Sequence, residues 1–396
     1  MRNLHGWAGL VIAVLAAAVV PGRSPVLAQP APPPATQEWL KAARLGPYVE
    51  PRFDAAALYE QARREGAVTV YSYSSRIHAI GGTFEKQYPG IKVNAFDLDG
   101  AEIITKVLAE QRARNYQADL IFLPEVATVK HQLMPRWMVF NYVPPDLVTK
   151  IPRQYREPLL ARHFSFRVVF YNNERYASPP VNNLWDLTRP EWKGRVMLPD
   201  PLKIPEYLSF LVTVVQRADE MAAAHQRKYG DLRLSPGIEN AGYEWIRRLL
   251  ANDLIIAPST DEVTNAIGRP GQTAPPIGIS AWSRMRDKVR RPTLRFEPVL
   301  AMEPVAAVSD LTILAIPAHA PHPAAAKLLI RWMMGDEKGG QGFEPFYIEG
   351  HLPTRTDVPP PPGMPMLYHL KVWDQDYDVI WKQSTKVREF WLRYLR

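Results

Sequence analysis

An alternation of strand-like and helix-like segments constrains this chain more than any other feature. AVTVYSY at 67–73 is rich in β-branched and aromatic residues and follows Gly66. Residues 76–88 are helix-like and stop at Pro89-Gly90, and residues 91–98 read as a strand. Residues 101–115 carry Ile103, Ile104, Val107 and Leu108 at helical spacing, and 119–123 form a short apolar strand halted by Pro124. This βαβαβ order predicts an α/β fold: a mostly parallel sheet with helices on its faces.

A second unit of the same kind follows. FSFRVVFY at 164–171 reads as a strand, 182–195 as a loop with a short helical piece, and 195–198 as a strand stopped by Pro199-Asp200-Pro201. Residues 204–229 and 243–251 are helical. At 260–267 a compact helix is marked by a cap at Ser259 or Thr260, Asp261 and Glu262 in its first turn, and Gly268 at its end. Strands are expected at 277–280 and 305–316 and a helix at 323–334. The tail, 377–395, places Val387, Phe390, Trp391, Tyr394 and Leu395 on one face, as a docking helix does.

The 396 residues suggest two or three domains, and 46% apolar content supports a sizeable core. The chain has no cysteine, which excludes disulfides, thiolate metal sites, a cysteine nucleophile and a lipid-anchored N-terminal cysteine. The first 28 residues read as an export signal: Arg2, the apolar run LVIAVLAAAVV at 10–20, and Val26-Leu27-Ala28 as a cleavage site. That run is short of the ~20 residues that span a bilayer, so a soluble, periplasmic protein beginning at Gln29 is expected. Residues 29–54 read as a Pro-rich leader. Loss of Arg2 and Arg23 takes the net charge from +8 to +6. The basic residues are scattered apart from clusters such as 284–291, which is no nucleic-acid footprint.

Catalytic signatures are missing. There is no G-x-S-x-G, H-E-x-x-H or G-x-x-x-x-G-K. His319 and His322 sit among prolines without a nearby carboxylate, and Asp97-Leu98-Asp99-Gly100 lacks the rest of a calcium loop. No enzyme, cofactor or metal site is expected.

Several segments in order resemble bacterial extracellular solute-binding proteins of ABC importers, in the branch of ferric-iron, thiamine, polyamine and phosphonate binders. They are GAVTVYSYSS at 66–75, FEKQYPGIKV at 84–93, ADLIFL at 118–123, NLWDLTRPEWKGRVMLPD at 183–200, PHPAAAKLLIRWMMGDEKGGQ at 321–341 and LPTRTDV at 352–358. The resemblance covers about residues 60–360. It implies a two-lobed, type II periplasmic-binding-protein-like clamp with a ligand cleft between the lobes. Lobe one would hold 55–165 plus 293–345, and lobe two 166–292 plus the C-terminal 346–396. It also implies a small-molecule or ion ligand, ABC permease subunits as partners, a monomer, and no nucleic acid. A periplasmic sensor for a membrane kinase is the alternative role, and an exported enzyme on the same scaffold a third.

In open α/β sheets ligands bind beyond the carboxyl ends of strands, where helix N-termini present free N–H groups. That rule selects Tyr73, Ser74 and Ser75 after the first strand, as helix caps or ligand contacts. Glu125 follows the third strand, as a cation partner or a solvated turn residue. Tyr171 and Asn172 end the crossover strand. Asp200, Lys203 and Tyr207 follow the strand at 195–198; Ser259 and Thr260 open a helix; Trp282 follows the strand at 277–280 as a stacking wall or a core residue. Whether Arg284 and Arg286 face the cleft stays open. Ferric binders of the branch present two adjacent tyrosines just past that last strand. This chain has Gly278-Ile279-Ser280-Ala281-Trp282-Ser283-Arg284 there and no Tyr-Tyr pair anywhere. Iron therefore ranks below an organic or anionic solute.

Overall fold

A computed structural model describes residues 31–365 and 367–395. The export signal expected at 1–28 lies outside these residues.

One mixed sheet organises the chain. Its main strands are β1 (Ala67–Ser72), β2 (Lys92–Asp97), β3 (Leu120–Leu123), β4 (Leu160–Tyr171), β5 (Val196–Pro199), β6 (Ile255–Ala257), β7 (Ile277–Ala281) and β8 (Ala307–Pro317), in the order β2-β1-β3-β8-β4-β7-β5-β6. The two ends are parallel, as the alternating pattern predicts: β1 pairs β2 from Ala67↔Lys92 to Ser72↔Asp97, and β5 pairs β6 and β7. The middle departs from it. β8 is antiparallel to β3 and to β4, and β4 is antiparallel to β7. Both long strands are buried on both faces, with Arg162, His163, Arg167 and Asp310 buried among their apolar residues, and such burial carries no sign of direction.

These two strands join the two largest apolar cores among the described residues. Leu160 and Leu314 pack with Val70, Phe84, Leu328 and Leu329. Farther along the same strands, Val169 and Val308 pack with Trp185, Leu211, Trp245 and Trp391. A single buried side chain of this size contributes about 1.5–3 kcal/mol, so each end of the sheet is held by its own set of contacts.

Local signals set the helix ends. Asp54 accepts the Ala57 N–H at 2.9 Å to open the helix Ala55–Glu65, and Gly66, at φ 77°, closes it. Ser259 accepts the Glu262 N–H at 3.2 Å and opens Thr260–Gly268. The 29–54 reading needs correction where the structure describes it. Pro34–Ala43 is a helix, with Leu40 and Ala43 buried, rather than an extended leader. Trp39 Nε1 donates to the Ala320 carbonyl at 3.3 Å and Lys327 Nζ to the Ala43 carbonyl at 2.7 Å, which ties this arm down. Proline at the first helical position suits a helix start, so its abundance there was compatible with either form.

Candidate functional site

Strand ends and helix starts meet around a cleft of ≈ 860 Å³. Four helices begin on its wall: Arg76 precedes Ile77–Gln87, Gly100 starts Gly100–Ala113, Pro205 starts Pro205–Gln216 and Thr260 starts Thr260–Gly268. Each N-terminus carries partial positive charge, which favours an anion, although Asp99 and Ser259 cap two of them and Asp97, Glu206, Asp261 and Asp287 also line the cleft.

Seven of the expected residues line this cleft: Tyr73, Ser74, Ser75, Lys203, Tyr207, Ser259 and Thr260. Ser74 Oγ accepts from Arg76 Nε at 3.2 Å. Ser259 is occupied as a cap. The Tyr73 hydroxyl lies 3.5 Å from both His163 Nε2 and Thr312 Oγ1. Tyr207 is fully buried, its hydroxyl without a well-formed hydrogen bond, and burial pushes that hydroxyl up to about 12.

Five others are placed elsewhere. Tyr171 belongs to the second core. Asn172 donates to the carbonyls of Ile267 at 2.8 Å and Arg269 at 3.3 Å, and accepts from Glu174 and Arg175 N–H; it ties loops together. Asp200 accepts the Leu202 N–H at 2.9 Å as a turn residue. Trp282 is buried in the core and donates to Glu349 at 2.9 Å. Side chains alternate along a strand, so a strand end alone does not say which way they point. Glu125 stands behind the wall: a Cβ added to Gly100 would lie 2.5 Å from its Oε1, which has no hydrogen-bond partner. Burial, with Glu206 and Asp310 nearby, pushes the Glu125 carboxyl well up.

Strand-end reasoning selects none of the arginines and leaves Arg284 and Arg286 open. Arg76, Arg167, Arg284, Arg286, Arg290 and Arg291 all line the cleft. Arg284 is paired with Asp261 and Asp287, and Arg167 lies 3.4 Å from Asp310 and 3.8 Å from Glu206. Arg76 and Arg286 have no carboxylate partner among the described residues. The Arg76 guanidinium sits 3.7 Å from the centre of the Phe346 ring and donates to the Pro345 carbonyl at 3.2 Å. Burial, then repulsion from Arg286, holds its pKa down at about 9. Arg286 donates to the Ser283 carbonyl at 2.7 Å, and burial followed by Arg284 lowers it too. His351 reaches the same wall; burial, then Arg76 and Arg286, holds it well below its usual range. Cations that repel one another around an aqueous cleft are stabilised by an anion placed between them.

The fold is that of the type II periplasmic substrate-binding proteins. The chain matches iron-bound HitA from Pseudomonas aeruginosa at 14% identity, over 83% of this chain and 99% of that one, with a TM-score of 0.65. It matches AfuA from Actinobacillus pleuropneumoniae, solved with fructose-6-phosphate, at 18% identity over 83% and 98%, with a TM-score of 0.63. AgtB from A. tumefaciens R10, in complex with agropinic acid, matches at 18% identity over 83% and 98%, with a TM-score of 0.58. No sequence-family model and no curated protein sequence matches the chain.

Proposed function

We propose that this chain is the substrate-binding component of an ABC importer and that its solute is a small organic anion. The observation that carries the reading is the pair of guanidinium groups, Arg76 and Arg286, which make no carboxylate ion pair in a cleft where four helices begin and where the arginines and Lys203 outnumber the carboxylates of Asp97, Asp99, Glu206, Asp261 and Asp287. A phosphate or carboxylate accepts from both and from the first-turn N–H groups. Residues 55–165 with 293–345 form one lobe and 166–292 with 346–396 the other, in a protein acting as a monomer, exported to the periplasm and delivering its solute to a permease. The two apolar cores joined by β4 and β8 support two lobes, with Val299, Met302, Val305 and Val308 packing on the 166–292 side and Phe346 on the 55–165 side. Closure then needs tighter binding to the closed than to the open form.

The same charges disfavour ferric iron. Tyr73 and Tyr207 are the cleft tyrosines, and burial raises both hydroxyls, so neither is a ready phenolate. Among the described residues no group of His, Asp and Glu side chains could hold a metal ion. Thermal-shift titration with inorganic phosphate, fructose 6-phosphate, citrate and spermidine tests the reading. At least one anion is expected to raise Tm in a saturable way and spermidine to do nothing. Stabilisation by spermidine alone would overturn it.

A further inference from the structure

The C-terminal helix Tyr377–Tyr394 does not line the cleft, yet three parts of the molecule meet on it. Its apolar face, Ile380, Val387 and Trp391, is buried in the second core with Leu211 and Val214, and Phe390 packs on Tyr243 with ring centres 4.6 Å apart. Its first residue holds the crossing strand: the Tyr377 hydroxyl accepts the Leu311 N–H at 2.8 Å and donates to Asp310 at 3.3 Å, both on β8. Its second holds the segment after β3. Asp378 takes Lys130 Nζ and His131 Nε2, each at 2.6 Å, and Trp381 stacks on the His131 ring at 5.6 Å and 14°. Lys130 and His131 flank Val129 and Leu133, which are buried with Ile103 and Val107. Asp310 in turn lies 3.4 Å from Arg167, which lines the cleft.

We propose that the helix Tyr377–Tyr394 is a strap across the joint between the lobes, that it sets the balance between open and closed cleft, and that Arg167–Asp310–Tyr377 links it to the bound solute. The proposal rests on the two-lobed clamp of the preceding section. The helix is fixed to 166–292 by apolar packing that a change of lobe angle need not disturb. The contacts on the other side are the bonds to Asp310, Lys130 and His131, the Trp381 stack and the packing of Tyr377 beside Val129 and Leu133, and lobe movement must stretch or remake them. A solute that draws Arg167 toward itself weakens the hold of Arg167 on Asp310, and Asp310 then leans more on the Tyr377 hydroxyl. Both events bear on one two-state element, as coupling requires.

The chain has no cysteine, so two introduced cysteines take a dye pair uniquely. Ala101→Cys and Val289→Cys place them on exposed residues of the two lobes. Single-molecule energy transfer on the full exported chain, without added solute, then reads the interlobe distance distribution. Asp378→Asn, which removes both ion pairs of a half-exposed carboxylate, is expected to change the open-to-closed ratio by about two- to tenfold. Tyr377→Phe is expected to shift it in the same direction. Lys386→Ala is the control: it breaks the 2.6 Å pair with Glu239, which joins the same helix to the lobe it is already fixed to, and the ratio should not move. Melting curves establish that each variant is folded; should Asp378→Asn unfold, Tyr377→Phe decides alone. Two populations that neither substitution alters refute the strap and leave the clamp standing. A wild-type chain with one fixed distance, unchanged by any of the anions above, refutes the clamp and the strap with it.

Discussion

Replacing Arg76 with methionine separates binding from stability. Methionine keeps the apolar stem against Phe346 but removes the charge and the donors. A hydrogen bond to a charged group contributes about 1.5–3 kcal/mol, so affinity for the bound anion should fall roughly 10- to 150-fold. Folding responds through terms that oppose one another. A guanidinium held at about 9 instead of 12.5 carries a penalty in the folded state. That penalty is fully present at pH 7, below both values, and disappears only as pH rises through 9 toward 12.5. Taken at face value it amounts to about 5 kcal/mol. Arg76 keeps part of its surface in water, and solvent screening leaves ~1–2 kcal/mol. The lost bonds to Ser74 and Pro345 cost at least as much as that. Arg76→Met should therefore leave Tm nearly unchanged or slightly lower, while affinity falls by the full factor above. Calorimetric titration with the anion that gave the largest thermal shift, beside melting curves at pH 7, reads both. Unchanged affinity would refute the placement of the solute against Arg76.

Ser259→Ala should cost about 1 kcal/mol of stability with affinity unchanged, since its hydroxyl caps a helix, whereas Ser74→Ala frees Arg76 Nε and should weaken binding; calorimetry beside melting distinguishes them. Burial raises Asp310 to about 7, so the folded state binds a proton that the unfolded chain has released; stability should fall as pH rises from 5 to 8, and by less in Asp310→Asn, as melting temperatures across that range would show. Titration with ferric citrate should give no visible tyrosinate–iron band; a saturable coloured complex at one equivalent would contradict the electrostatic reading of the cleft. Exported protein should begin at Gln29 on N-terminal sequencing, and an intact Met1 would remove the export expectation.

Much of the frame could be read from the residues because local chemistry decides it. Gly66, Pro89-Gly90 and Pro124 punctuate the first three strands, and Ser259, Asp261, Glu262 and Gly268 mark one helix at both ends. The antiparallel run of β4 and β8 could not be read. FSFRVVFY and its partner are buried on both faces, Arg167 and Asp310 included, so no alternation of apolar and polar residues marks their direction. The cleft was half legible for the same reason. Turn residues beyond strand ends, Ser74, Ser75, Lys203 and Thr260, do reach it. Tyr171 does not, because pleating turns it into the core, and Trp282, at the start of the short helix 282–286, packs into the core with Phe166 and Phe296. The cationic wall was hidden most deeply. Arg284 has two carboxylate partners and Arg286 none, a difference of tertiary placement that composition and net charge average away.

The central claim is that the cleft holds a small anion between Arg76 and Arg286. Native mass spectrometry of the protein purified from its own periplasm tests it most directly, run on the wild type and on Arg76→Met/Arg286→Met. The account predicts one organic anion per wild-type chain and its loss from the double variant, with the fold retained. A ferric ion or polycation bound at one equivalent, or an anion retained by the double variant, would contradict it.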